Sequence, residues 1–256
     1  MKTTSLTRFA PALAIIAMVV MGSPANAAWN LNLNSACTSN SSSVVTGCSD
    51  SASGLTAVGG STTWNPTNSS SVTFSAATVK EWTGGLGVTS DGNHSIDNYK
   101  GTDAILLSFS AAVNLTSVTL GWTSNDSDFS LLAYTTSGDA VVNGRTLASG
   151  ATSLLGNGWT LIGNYADAPV SPASVDVSKA SPTYSSYWLV SAYNSYFGST
   201  SSNGGSLVTK SDYFKLLSVA GNTKPTDEVS EPAALLLFGT ALLGMLGLRR
   251  RRPTEN

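Results

Sequence analysis

Residues 117–122 read Ser-Val-Thr-Leu-Gly-Trp, and the spacing of that stretch decides the fold class. Val118, Leu120 and Trp122 recur at every second position with Ser117, Thr119 and Gly121 between them, the period of a strand with one buried face. Working outward, similar short runs rich in β-branched and aromatic residues lie at 71–76, 104–110, 129–135, 159–163, 187–192 and 213–220. Gly, Asn, Ser and Thr punctuate them, as turn residues do. No stretch between 28 and 226 sustains a long helical spacing, although 147–155 suits a short helix. Seven short strands in a region of this size predict an all-β domain, a β-sandwich or jelly-roll-like ectodomain. The absence of a fixed internal period speaks against a solenoid or propeller.

The two ends of the chain are of another kind. Lys2 and Arg8 precede an apolar run from Phe9 to Met21, then Pro24 and Ala25-Asn26-Ala27. This is the layout of a secretory signal peptide over 1–27, with cleavage between Ala27 and Ala28. The ectodomain then spans 28–222. Between 28 and 226 stand seven bases and eleven acids, so the region is more acidic than the whole-chain net charge of −2 implies. No basic patch is present for nucleic acid. Cys37 and Cys48 are the chain's two cysteines, and export into an oxidising compartment predicts that they form one disulfide. With a single histidine, they cannot supply a zinc site of ordinary composition.

At the C-terminus a polar linker over 223–232 ends in Ser230-Glu231-Pro232, an uncharged apolar run fills 233–248, and a basic tail over 249–256 opens with Arg249, Arg250, Arg251 and Arg252. As a helix the apolar run reaches about 24 Å, short of the ~30 Å hydrocarbon core, so it reads as a weak transmembrane helix. The arginines keep the tail in the cytoplasm and place everything before Ala233 across the membrane. Proline-containing motif, short Leu/Gly/Ala helix and terminal arginine cluster, in that order, resemble the tail of PEP-CTERM proteins, with Ser230 standing where the pattern has its first proline. The resemblance covers about the last thirty residues. It implies a bacterial source, transient residence in the inner membrane and processing by an exosortase, a membrane-embedded cysteine protease. It further implies delivery to the cell surface or extracellular matrix, in the company of exopolysaccharide and biofilm.

Within the ectodomain, chemistry-bearing residues are few. Asp126 and Asp128, with Asp97 or Asn98, are candidate calcium ligands, since Ca2+ takes six to eight hard oxygen donors and loop carboxylates supply them. The competing reading is an Asx turn bonded to its own backbone. His94 lies in a Gly/Asn/Ser loop, where a solvated or structurally bonded ring is the simpler role than a general base. No serine sits in a G-x-S-x-G elbow, and Glu81 is the one glutamate inside the domain, so a hydrolase has no visible machinery. Trp122 and Trp188, in strands, are expected in the core; Trp64, Tyr193 and Tyr196 are expected as surface rings. The sequence thus predicts a non-enzymatic structural or adhesive protein, with a calcium-supported carbohydrate-binding module as the alternative.

Overall fold

The computed structural model describes residues 28–48, 56–62, 73–89, 92–147, 151–168 and 172–225. The signal-peptide segment through Ala27, Trp64, the motif Ser230-Glu231-Pro232, the apolar run 233–248 and the four arginines lie outside the described residues. Among those described, no helix is long and apolar enough to cross a membrane. The strands in chain order are β1 (Ala28–Asn32), β2 (Cys37–Ser39), β3 (Val45–Cys48), β4 (Thr56–Thr62), β5 (Phe74–Trp82), β6 (Gly85–Thr89), β7 (Ile96–Asp97), β8 (Asp103–Asn125), β9 (Phe129–Tyr134), β10 (Trp159–Tyr165), β11 (Ala173–Asp176), β12 (Ser185–Ala192) and β13 (Asp212–Thr223). Among the described residues α-helix is confined to a single turn, Leu33–Ala36, capped by the Asn32 side chain, which accepts from the Asn34 amide at 3.0 Å, and a 3-10 turn follows β12 at Ser195–Phe197.

The runs 104–110 and 117–122 prove to be one strand of 23 residues, β8. Its first part pairs with β4 on one edge and β12 on the other; its second part pairs with β13 and β11. From β8 the hydrogen bonding runs through β4, β5 and β6 to β13 and back to β8. The ring closes. The domain is therefore all-β as expected, but its sheet is barrel-like and closed where the sequence suggested a sandwich of two separate sheets. A strand this long and shared between two sets of partners is what closes the ring, since each end finds neighbours that the other cannot reach, while β1 and β10 stand at the two ends of the strand order.

Both faces of the β8–β12–β9 region are covered, which explains why their sequences read as nearly continuous apolar runs instead of alternating ones. Ile105, Leu107, Leu131, Trp188 and Val190 point into the main core with Leu86, Val118, Leu120, Phe214 and Leu216. Ala104, Leu132 and Leu189 point the other way, into a smaller core with Phe74, Val142, Leu154, Trp159 and Phe197. Trp188 is fully buried, and its indole N–H donates to Ser185 O at 3.0 Å and Val113 O at 3.2 Å. The segment 147–155 is no helix where it is described; Leu147, Ser153 and Leu154 form a turn-rich cover over this second core.

Trp122 departs from expectation. Lys215 lies opposite Trp122 while its neighbour Leu216 lies opposite Leu120, so Gly121 is the extra residue of a β-bulge. The bulge reverses the alternation: Leu120 is buried and Trp122 is 37 % exposed. Gly121 also permits the β5–β6 hairpin to lie against β8, since a Cβ there would stand 2.2 Å from the Gly84 carbonyl oxygen. Gly84 itself has φ 92, in the left-handed region that favours glycine.

At the other end of the chain, the β2–β3 ladder sets Cys37 directly opposite Cys48. Cys37 is buried; the Cys48 side chain lies outside the described residues.

Candidate functional site

The acids are concentrated where β8 gives way to β9. Asn125 ends β8 with φ 58, a left-handed turn that its short amide side chain tolerates. The next residues then cross to β13: the Asp126 amide donates to Ser211 O at 3.2 Å, and the Tyr213 amide donates back to Asp126 O at 2.9 Å. Asp128 follows, wholly buried. Asp167, just after β10, approaches from the opposite side with φ 47 and an exposed side chain. One carboxylate oxygen from each of Asp126, Asp128 and Asp167 lies within 4.8 Å of the other two.

Hydrogen bonds fix the buried members. Asp128 Oδ1 accepts from the Asp167 amide at 2.8 Å and Oδ2 from the Val208 amide at 2.7 Å. Beneath it lies Asp212, also wholly buried, whose Oδ1 accepts from the Asp128 amide at 2.8 Å. Asn98 closes the arrangement: its Nδ2 donates to Asp212 Oδ2 and, at 3.0 Å, to Tyr193 O, while its Oδ1 accepts from the Asp212 amide at 3.1 Å. Burial pushes the Asp128 carboxyl up to about 6, against the pull of its two amide donors and with help from the charges of Asp126 and Asp167. Asp212 is pushed up to about 8, again chiefly by burial, with the Asp128 and Asp126 charges adding to it and the Asp128 amide and Asn98 opposing.

Asp97 stands apart from the triad of carboxylates. It is buried in β7, where Oδ2 accepts from Ser95 Oγ at 3.0 Å and Oδ1 from the Tyr99 amide at 3.0 Å. Its neighbour Asn98, not Asp97, reaches the cluster, through Asp212. Of the three aspartates singled out in the sequence the structure therefore groups two, Asp126 and Asp128, and adds Asp167 as the third carboxylate. Asp167 and Asp212 carry no linear signal, since about forty and eighty residues separate them from Asp128 and only the pairing of β8, β9, β10 and β13 joins them. The donor set suits a hard divalent cation: three carboxylates converge, and a cation among them would offset the burial that chiefly raises Asp128 and the smaller repulsion from Asp126 and Asp167.

The aromatic expectations divide. Trp188 is core, but Tyr193 is buried as well, its hydroxyl donating to Gly198 O at 2.9 Å, and Tyr196 is half-buried. Exposed rings occur elsewhere: Trp122, and Tyr99, which is 48 % exposed beside Asp97 and Asn98 with the Lys100 ammonium 4.9 Å from its ring centre. Tyr134, Tyr184 and Tyr187 line a cleft of about 280 Å³, in which the Tyr187 hydroxyl donates to Asp139 at 2.9 Å. His94 is exposed and lies flat on Trp82, ring centres 4.1 Å apart and planes inclined by 17°.

Compared with known proteins, the chain matches one family description, the PEP-CTERM protein-sorting motif, over residues 228–252. The match covers the segment that the resemblance had rested on, with Glu231, Pro232, the apolar run and all four arginines inside it. The chain thus carries an exosortase-type sorting signal, which implies export and a surface or extracellular destination after C-terminal processing. No curated protein and no solved structure matches the chain.

Proposed function

We propose that this chain is a non-enzymatic bacterial surface or extracellular-matrix protein whose closed β-domain has a structural or adhesive role. The observation that carries the reading is the sorting motif over 228–252, which begins five residues after β13 ends at Thr223. A signal peptide over 1–27 starts export, the run 233–248 and the arginines hold the chain in the inner membrane, and an exosortase cuts near Glu231-Pro232. The released domain then joins exopolysaccharide and biofilm outside the cell. A Cys37–Cys48 disulfide, favoured by their facing register in β2 and β3, would stabilise the N-terminal loop by roughly 2 to 3 kcal/mol in the chain-entropy model. The test is mass-spectrometric mapping of both termini of the surface-associated form in the native host. A start at Ala28 and an end near Glu231, lost when the exosortase is deleted, is the expected result. An intact tail in the inner-membrane fraction would overturn it.

A second reading, calcium-supported carbohydrate binding, is favoured by the convergence of Asp126, Asp128 and Asp167. Calcium there would tie the β8–β9 turn to the segment after β10. Exposed Tyr99, beside Asp97 and Asn98, offers a ring for a sugar face. Glycan-array binding that disappears in EDTA is its expected signature, and a flat array returns the domain to a purely structural role.

A further inference from the structure

A second surface feature has no part in the acidic cluster. Period-two geometry in β5 puts Lys80 and Trp82 on one face and Glu81 on the other, where Glu81 accepts from Ser39 Oγ at 2.8 Å. The close approach of Gly84 to Gly121 seats the hairpin after Trp82 against β8, and the bulge at Gly121 turns Trp122 outward beside Lys215 of β13. Four separate stretches of chain therefore bring Trp82, His94, Trp122, Lys80 and Lys215 to one patch.

Lys215 is the hinge of this patch. Its ammonium lies 4.9 Å from the centre of the Trp122 ring and 5.8 Å from that of Trp82, and donates to Thr83 O at 3.2 Å. The Lys80 ammonium also lies 5.8 Å from the centre of the Trp82 ring. Among the described residues neither lysine has a carboxylate within ion-pair distance, although acids outnumber bases in the domain. Burial lowers the Lys215 pKa, so the cation is held partly dehydrated with a single carbonyl and two ring faces as compensation. The exposed Trp122 indole offers a face to the C–H side of a pyranose ring, while Trp82, covered on one face by the His94 ring, helps hold the ammonium groups that accept carboxylates beside it.

We propose that Trp82, Trp122, Lys80 and Lys215 form a binding site for a carboxylated saccharide, a chain of uronate-type sugars, that needs no calcium. This goes beyond the role proposed above and depends neither on tail processing nor on the acidic cluster. Charge complementarity selects the ligand class: a neutral glycan would leave both ammonium charges without a counter-ion, and a simple polyanion would leave the exposed Trp122 face unused.

The test is affinity electrophoresis of the full-length chain in a mild non-ionic detergent with EDTA, through native gels cast with polygalacturonate, neutral dextran or dextran sulfate. Mobilities are referred to gels without polymer. Polygalacturonate is expected to retard the chain and dextran to leave it unmoved. The Lys80→Gln/Lys215→Gln variant is expected to bind about tenfold more weakly, as two partly exposed ion pairs warrant. Trp122→Ala is expected to weaken binding likewise, and Lys80→Arg/Lys215→Arg to retain it, which separates charge from folding. No retardation of the wild type, undiminished retardation of the glutamine variant, or equal retardation by dextran sulfate with Trp122→Ala unaffected would each overturn the assignment.

Discussion

Asp212 and Asp128 make the stability of the domain depend on pH in a direction opposite to that of most salt-bridged proteins. Both carboxyls are raised above the ordinary value of 3.8, to about 8 and about 6. Above pH ~4, native Asp128 up to about 6 and native Asp212 up to about 8 therefore hold protons that the unfolded chain has released. Their contribution to stability is fully present below pH ~4 and is lost as pH rises through 6 and then 8. Between pH ~4 and ~6 two protons are involved, a slope of about −3 kcal/mol per pH unit; between ~6 and ~8 one remains, and the slope is about half as steep. From pH 5 to pH 7.5 the metal-free chain should lose at most about 5 kcal/mol, a large share of the 5–15 kcal/mol typical of a folded domain. Replacing Asp212 by Asn removes the higher-titrating group, so the loss over the same interval should shrink to about 1 kcal/mol. The variant carries a pH-independent cost of roughly 1–3 kcal/mol, because its amide faces the Asn98 Nδ2 donor. Urea unfolding in EDTA, followed by tryptophan fluorescence with Trp188 as the buried reporter, measures both effects. A wild-type midpoint that is flat or rises between pH 5 and 7.5 would refute the reasoning.

Calcium should restore stability at pH 7.5 by neutralising Asp126, Asp128 and Asp167, seen as an upward shift of the urea midpoint that Asp167→Asn abolishes. Gly121→Ala should cost about 2–3 kcal/mol in the same assay, because the new Cβ would stand 2.2 Å from the Gly84 carbonyl oxygen in a bulge that cannot give way without moving the hairpin. Trp188→Ala should cost about 3–5 kcal/mol, with the Val113 and Ser185 carbonyls losing their indole donor as well as the ring's packing. Replacing Arg249, Arg250, Arg251 and Arg252 by serine should impair membrane retention and processing, read as loss of the mature C-terminus from the surface fraction; unchanged delivery would count against the signal.

What was legible in the sequence divides along physical lines. Strands that bury apolar side chains on one or both faces announce themselves, as in Phe129–Tyr134 and Ser185–Ala192. Those interrupted by glycines and small residues do not: Thr56–Thr62 has little side-chain pattern to read, and Gly85–Thr89 offers only Leu86 and Val88, both buried in the main core, between glycines. Closure of the sheet was also invisible, because it depends on β8 changing partners midway, which alternation alone cannot express. The bulge at Gly121 shows the same limit at one residue, since an extra position in the ladder reversed the facing of Trp122 that strict alternation assigned. Asp126 and Asp128 were visible as close neighbours in sequence, whereas Asp167 and Asp212 join them through tertiary pairing alone. The sorting segment needed no tertiary information, because its order of motif, apolar run and arginines acts on the membrane as a linear signal.

The pairing of the first strand with the last has a consequence for how such a chain must be made. Ala28 faces Asn222 across the β1–β13 ladder, and β13 also supplies the pairings with β6 and β8 that shut the ring. A chain emerging from an export channel N-terminus first can assemble hairpins such as β4–β5 and β5–β6 as they appear, but it has nothing to lock them with until residue 223 is through. Closure of the ring therefore waits for β13, the last strand before the sorting segment. A fragment cut short before Asp212 would remain an open sheet with exposed edges, the kind of species that extracytoplasmic proteases remove.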